Sequence, residues 1–130
     1  MQHINILAVV VAALSSFLLG GVWYSKLLFG PTWQRAAGDT RPGHAHPAKV
    51  FGLSYLFALV AAFAYAWLMP PPADAPAALL QGLAVGAGVV ATSFGINYQF
   101  ANRSTVLWLI DGGYHAVQFA LYGLILGLWR

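Results

Sequence analysis

Apolar residues in this chain fall in four long runs rather than in stripes. The runs extend from Ile4 to about Phe29, from Val50 to Met69, from Ala77 to about Phe100 and from Thr105 to Trp129. Polar or proline-rich stretches separate them: Gly30 to Lys49, Pro70 to Pro76, and Ala101 to Ser104. Each run is near the ~20 residues that a helix needs to cross a ~30 Å hydrocarbon core. They are too long and too uniformly apolar for alternating barrel strands, and an open sheet edge would leave backbone groups unpaired in lipid. The pattern predicts an all-α membrane protein, a single domain over residues 1–130 folded as a bundle of four transmembrane helices. The first run has no basic segment before it and carries Trp23 and Tyr24 where a cleavage site needs small residues. It therefore reads as a retained helix and not as a secretory signal.

Composition supports lipid as the main solvent and the bilayer as the first partner. Only 7% of the 130 residues are charged and 60% are apolar, against about 25% charged in soluble domains. The net charge of +3 is small and scattered, which argues against nucleic acid. Cysteine is absent, so disulfides, thiol nucleophiles, cysteine-ligated iron–sulfur clusters and covalent c-type haem are excluded. The position of the cations sets an expected orientation. Lys26, Arg35, Arg41 and Lys49 flank or occupy the first connection, Arg103 lies in the third, and Arg130 ends the chain. The positive-inside rule places connections one and three in the cytoplasm. Both termini then face the non-cytoplasmic side, the periplasm in a bacterial inner membrane. Trp23, Tyr24, Trp33, Tyr98 and Trp108 crowd the expected cytoplasmic boundary, while Trp67 and Trp129 mark the other.

Hydrophobicity inserts helices but does not hold them together in lipid; close backbone approach at small residues does. Small residues recur at four-residue spacing on every run: Ala8, Ala12, Ser16 and Gly20; Ser54, Ala58, Ala62 and Ala66; Gly82 and Gly86; Gly112, Ala116 and Ala120, then Gly123 and Gly127. Gly20, Gly82, Gly86, Gly123 and Gly127 are the expected packing glycines. The ladders can serve the bundle itself, a homo-oligomer, or a larger membrane complex.

The chemistry-bearing residues lie on the fourth run: Asp111, His115 and Gln118. Asp111 and His115 are four apart and share a helix face, so carboxylate and imidazole are expected to interact. An isolated carboxylate within a span costs ~2.5–3.5 kcal/mol, so it should face protein and have a partner. Candidates at its depth are Lys26, Arg103, Tyr24, Ser25, Asn97 and Gln99. The cluster admits three roles. In a structural role Asp111 pairs with a cation and fixes packing, or caps a shorter fourth helix beginning near Gly112. In a transport or binding role Asp111 and His115 hold a proton, cation or small solute in a pocket open to the cytoplasm. In a catalytic role Ser25, His115 and Asp111 form a nucleophile, base and orienting acid, but nothing around Ser25 resembles a nucleophile turn. The expected pocket comprises Tyr24, Ser25, Asn97, Asp111 and His115. No catalytic residues, metal or cofactor are expected. His44 and His46 have no carboxylate beside them and read as a solvated loop. The alternative to a pocket protein is a non-catalytic accessory or scaffold subunit.

Two blocks, Gly21-Val22-Trp23-Tyr24-Ser25 with Leu27-Leu28-Phe29-Gly30 and Trp33, and Leu109-Ile110-Asp111-Gly112-Gly113-Tyr114-His115 with Gly123 later, resemble the DUF1761 family of bacterial membrane proteins. The resemblance covers most of the chain. It implies a four-helix membrane protein with polar signature residues near one boundary, and it implies no activity. Lys26 stands where the family pattern usually has proline, which adds a cation near Asp111.

Overall fold

The computed structural model describes residues 4–37 and 47–129. Arg41, His44, His46 and Arg130, which enter the charge and metal expectations, lie outside the described residues. The elements are α1 (Ile6–Trp23), α2 (Gly30–Ala37), α3 (Pro47–Leu68), α4 (Ala75–Val85), a π-helical turn (Gly86–Val90), α5 (Ala91–Phe100) and α6 (Thr105–Leu128). Among the described residues there is no strand. Local signals set the helix starts. Asn5 accepts the Ala8 N–H at 3.1 Å, Asp74 accepts that of Ala77 at 2.9 Å, and Ser104 accepts that of Val106 at 3.1 Å. Each side chain thereby satisfies one of the donors that a helix leaves unpaired at its N-terminus.

The first run is helical only to Trp23, and the connection after it carries a second, short helix. α1 stops at Trp23, and the chain turns back through Leu27, which is exposed, into the short α2. Backbone bonds close the turn: Phe29 N–H to the Trp23 carbonyl and Gly30 N–H to the Ser25 carbonyl, both at 3.0 Å. Gly30 is buried against this turn; a Cβ there would sit 2.5 Å from the Tyr24 oxygen and 2.8 Å from that of Ser25. The uniform apolarity of Leu27-Leu28-Phe29 conceals this fold-back, which depends on the missing Cβ of Gly30.

Three helices are long and apolar enough to cross a membrane: Ile6–Trp23, Ala48–Leu68 and the continuous rod Ala75–Phe100 formed by α4, the π turn and α5. This corrects the expectation of four such spans. α6 has 24 residues but carries Asp111, His115 and Gln118, which lower its apolarity. The same helix is the most enclosed. It packs against α1, α2, α3, α4, the π turn and α5, and Asp111, Gln118, Phe119, Tyr122 and Leu126 on it are buried. Polar residues are tolerated on α6 because protein surrounds them.

α1 packs on α3 on one side and on α6 on the other, and α6 packs on the rod. The seam between α6 and the rod is built on glycine. A Cβ on Gly86 would meet the His115 carbonyl at 2.6 Å and the Ala116 Cα at 2.8 Å. One on Gly82 would run into the backbone at Phe119 and Ala120, and one on Gly123 into the Ala78 carbonyl. Gly127 lies against Pro72, whose Cγ would be 2.8 Å from an added Cβ. Gly20 differs: it faces the Tyr114 ring at an ordinary 3.6 Å. Close backbone approach of this kind maximises dispersion contact where no hydrophobic force acts between helices. On the other seam, Val9, Ala12, Ala62, Tyr65, Phe119, Tyr122 and Leu126 form a buried cluster of α1, α3 and α6.

The π turn adds one residue to a helical turn and loosens the regular bond ladder. Side chains take up the carbonyls. Thr92 Oγ1 donates to Gly88 at 2.9 Å, Ser93 Oγ to Val89 at 2.7 Å, and Trp108 Nε1 to Ala91 at 2.8 Å. The last of these ties α5 to α6 one turn from Asp111.

Candidate functional site

Asp111 lies in the interior of α6, six residues after the helix begins at Thr105, so it is not a cap. It is 8% exposed and accepts three hydrogen bonds. Oδ1 takes the Tyr24 hydroxyl at 2.6 Å and the Trp33 indole N–H at 3.0 Å; Oδ2 takes the Tyr98 hydroxyl at 2.5 Å. The donors come from the end of α1, from α2 and from α5, so one carboxylate draws three elements onto α6. All three donors are neutral. Among the described residues no cation pairs with Asp111, and Lys26 and Arg103 are exposed. The expectation that a cation pairs with the acid is therefore not met within the described residues.

Flanking residues hold the cage in register. Trp23 Nε1 donates to the Ile110 carbonyl at 2.9 Å, locking α1 to the residue before the acid. Gly113 leaves space for the Trp23 ring, 3.1 Å from where its Cβ would be. Tyr114 donates to the Ser16 carbonyl at 2.9 Å. Trp33 reaches Asp111 because Gly30 lets α2 fold over the end of α1. Gly30→Ala is accordingly expected to lift α2, lengthen or break the Trp33–Asp111 bond and shift the tryptophan emission to the red. Gly21→Ala, which has nothing within 4 Å of the new atom, should leave the spectrum unchanged.

His115 does not bond Asp111, contrary to expectation. Its Nδ1 lies 2.6 Å from Gln118 Oε1, and its ring packs 4.6 Å from that of Phe94. An amide carbonyl only accepts, so Nδ1 is the donor in this bond. The bond chain continues from Gln118 Nε2 to the Tyr122 hydroxyl at 2.9 Å, which lies 3.0 Å from Ser16 Oγ. These bonds stitch α6 to α1 in the interior and remain separate from the Asp111 cage.

Of the expected pocket residues, the structure brings Tyr24 to Asp111, while His115 sits one turn away in the second network. Ser25 does not join: its hydroxyl donates to the Val22 carbonyl at 2.7 Å and accepts the Leu27 N–H at 3.2 Å. Asn97 is exposed. Trp33 and Tyr98, assigned from sequence to the aromatic belt, are the ligands that sequence reasoning missed. Their signal was available: both are polar-tipped aromatics at the depth of an acid that needed partners. Asp111 also lines a cleft of about 600 Å³ with Tyr24, Gly30, Trp33, Val50 and Ser54. Among the described residues no group of His, Asp or Glu is placed to hold a metal ion.

These features define an all-helical membrane protein whose most enclosed helix carries a buried carboxylate at one end of the fold. The chain belongs to the family described as protein of unknown function (DUF1761), whose model matches residues 7–127. The structure gives the two blocks that carry the resemblance one physical purpose: Trp23, Tyr24, Gly30 and Trp33 on one side and Ile110, Asp111 and Gly113 on the other build a single site. No curated protein and no solved structure matches the chain.

Proposed function

We propose that this is a multi-pass inner-membrane protein that binds a small cationic solute at Asp111 on α6. The connections carrying Lys26, Arg35, Lys49 and Arg103 face the cytoplasm in this reading. One observation supports it above the rest. A carboxylate offers about four acceptor sites; here three are filled by neutral donors and the group borders an open cleft. Neutral donors hold the carboxylate in place without cancelling its charge, and an enclosed charge attracts a counter-ion more strongly than one in water. The rings of Tyr24 and Trp33 beside it add a surface suited to organic cations.

The test is a titration of the purified full chain with tetramethylammonium chloride, followed by tryptophan emission. A saturable change is expected in the wild type, lost in Asp111→Asn and strongly reduced in Trp33→Phe, because the Trp33 indole reports the site. An identical response in Asp111→Asn, or none in the wild type, refutes the proposal.

A further inference from the structure

We infer that the occupant of this site is an amphiphile, a single alkyl chain with a cationic amine head. The inference rests on the cation reading above and adds what adjoins it. The Asp111 cleft shares Tyr24, Val50 and Ser54 with a second cavity, reaching Phe17, Phe51 and Tyr114. That cavity in turn shares Ser54 and Tyr114 with a third, of about 470 Å³, lined by Phe57, Ala61, Val90 and Phe119 and by the bonded pair His115 and Gln118.

The groove exists because α3 closes on its neighbours over only part of its length. Ala58, Ala62, Tyr65 and Ala66 are buried, whereas Val50, Phe51, Leu53 and Phe57 are exposed. The first half of α3 therefore stands off α6. Along α6 the opening runs from Asp111 to Phe119, roughly 12 Å at 1.5 Å per residue. Its lining changes with depth. At the outer end are the carboxylate and the polar-tipped Tyr24 and Trp33; further in, Phe57, Ala61, Val90 and Phe119 predominate, and His115 and Gln118 there are bonded to each other. A small hydrated ion would use only the outer end. A ligand with a positive head and an apolar tail complements both, and it would lie as a lipid does, with its head at the end of the helices that carries Lys26, Lys49 and Arg103.

Native mass spectrometry of the full chain, released from micelles after incubation with one probe at a time, tests this. The probes are dodecylamine, propylamine and dodecanol. Wild type is expected to retain dodecylamine at least about tenfold more tightly than either of the others, since both the charge and the buried methylenes contribute. Asp111→Asn should lower dodecylamine to the dodecanol level. Ala61→Phe, which narrows the third cavity from a residue that does not line the Asp111 cleft, should lower dodecylamine to the propylamine level and spare propylamine. Should Asp111→Asn fail to fold, the Ala61→Phe comparison decides alone. Dodecylamine held no better than propylamine, with both dependent on Asp111, overturns the amphiphile and leaves the cation site standing. Dodecylamine and dodecanol held equally, whatever stands at 111, overturn both.

Discussion

Replacing Asp111 by Leu is expected to destabilise the fold by about 3–5 kcal/mol, among the largest losses available to a single side chain here. Leucine fits the volume and favours lipid, so on hydrophobicity alone the change should help. The cage predicts the opposite. The hydroxyls of Tyr24 and Tyr98 and the indole N–H of Trp33 all lose their acceptor, and each orphaned buried donor costs about 1–3 kcal/mol. The full sum is not reached, because Tyr98 sits near the helix end and can turn to water, and neighbouring losses are not additive. Asp111→Asn is milder, about 1–2 kcal/mol. Its carbonyl still accepts from Tyr24 and Trp33, and its amide can donate to the Tyr98 oxygen. Denaturant unfolding of the three proteins in the same micelle should rank them wild type, Asn, Leu. A leucine variant as stable as wild type would show that the cage contributes nothing to the fold.

The same cage shows what could be read from the sequence and what could not. The apolar runs fixed the rod at 75–100 and α6 at 105–128 within a few residues, because insertion in lipid depends on length and hydropathy, which are local properties. That Asp111 must face protein also followed locally, from the cost of a carboxylate in oil. Of its partners only Tyr24 did. A cation was the natural expectation for an acid, and Lys26 and Arg103 lay at the right depth. The fold instead supplies aromatic donors, whose reach depends on a turn at residues 24–29 that apolarity hides. Gly30 is the physical reason for that turn, and a glycine's consequence depends on what approaches it. The last helix illustrates the reverse. α6 looks marginal by hydropathy because it is central, and its polar face is legible only once its neighbours are in place. Ser25 and Asn97 lie at the depth of the acid, but depth alone does not set direction: Asn97 is exposed on α5 and the Ser25 hydroxyl is bonded within its own turn.

Gly82→Leu tests the other principle that holds these helices, and about 3 kcal/mol of destabilisation is expected. Even the first added carbon would overlap the Phe119 carbonyl and lie 2.8 Å from the Ala120 Cα. Both are backbone, so no rotamer change relieves the clash; α4 and α6 must separate. The separation also strips contact from Gly86 and Gly123, which share the seam, so the loss extends beyond one residue. Gly52→Ala and Gly88→Ala are the controls. Neither new Cβ has anything within 4 Å, so both should be neutral or slightly stabilising through helix propensity. Because the chain lacks cysteine, an introduced pair reports the seam cleanly. A Cβ built on Gly112 lies 3.3 Å from that of Ala91, close to the spacing a disulfide needs. In Gly112→Cys/Ala91→Cys protein, oxidation should cross-link α5 to α6 rapidly, and adding Gly82→Leu should slow it severalfold. Equal cross-linking rates with and without leucine at 82 would mean that close backbone contact is incidental and that the polar cage alone keeps α6 between its neighbours.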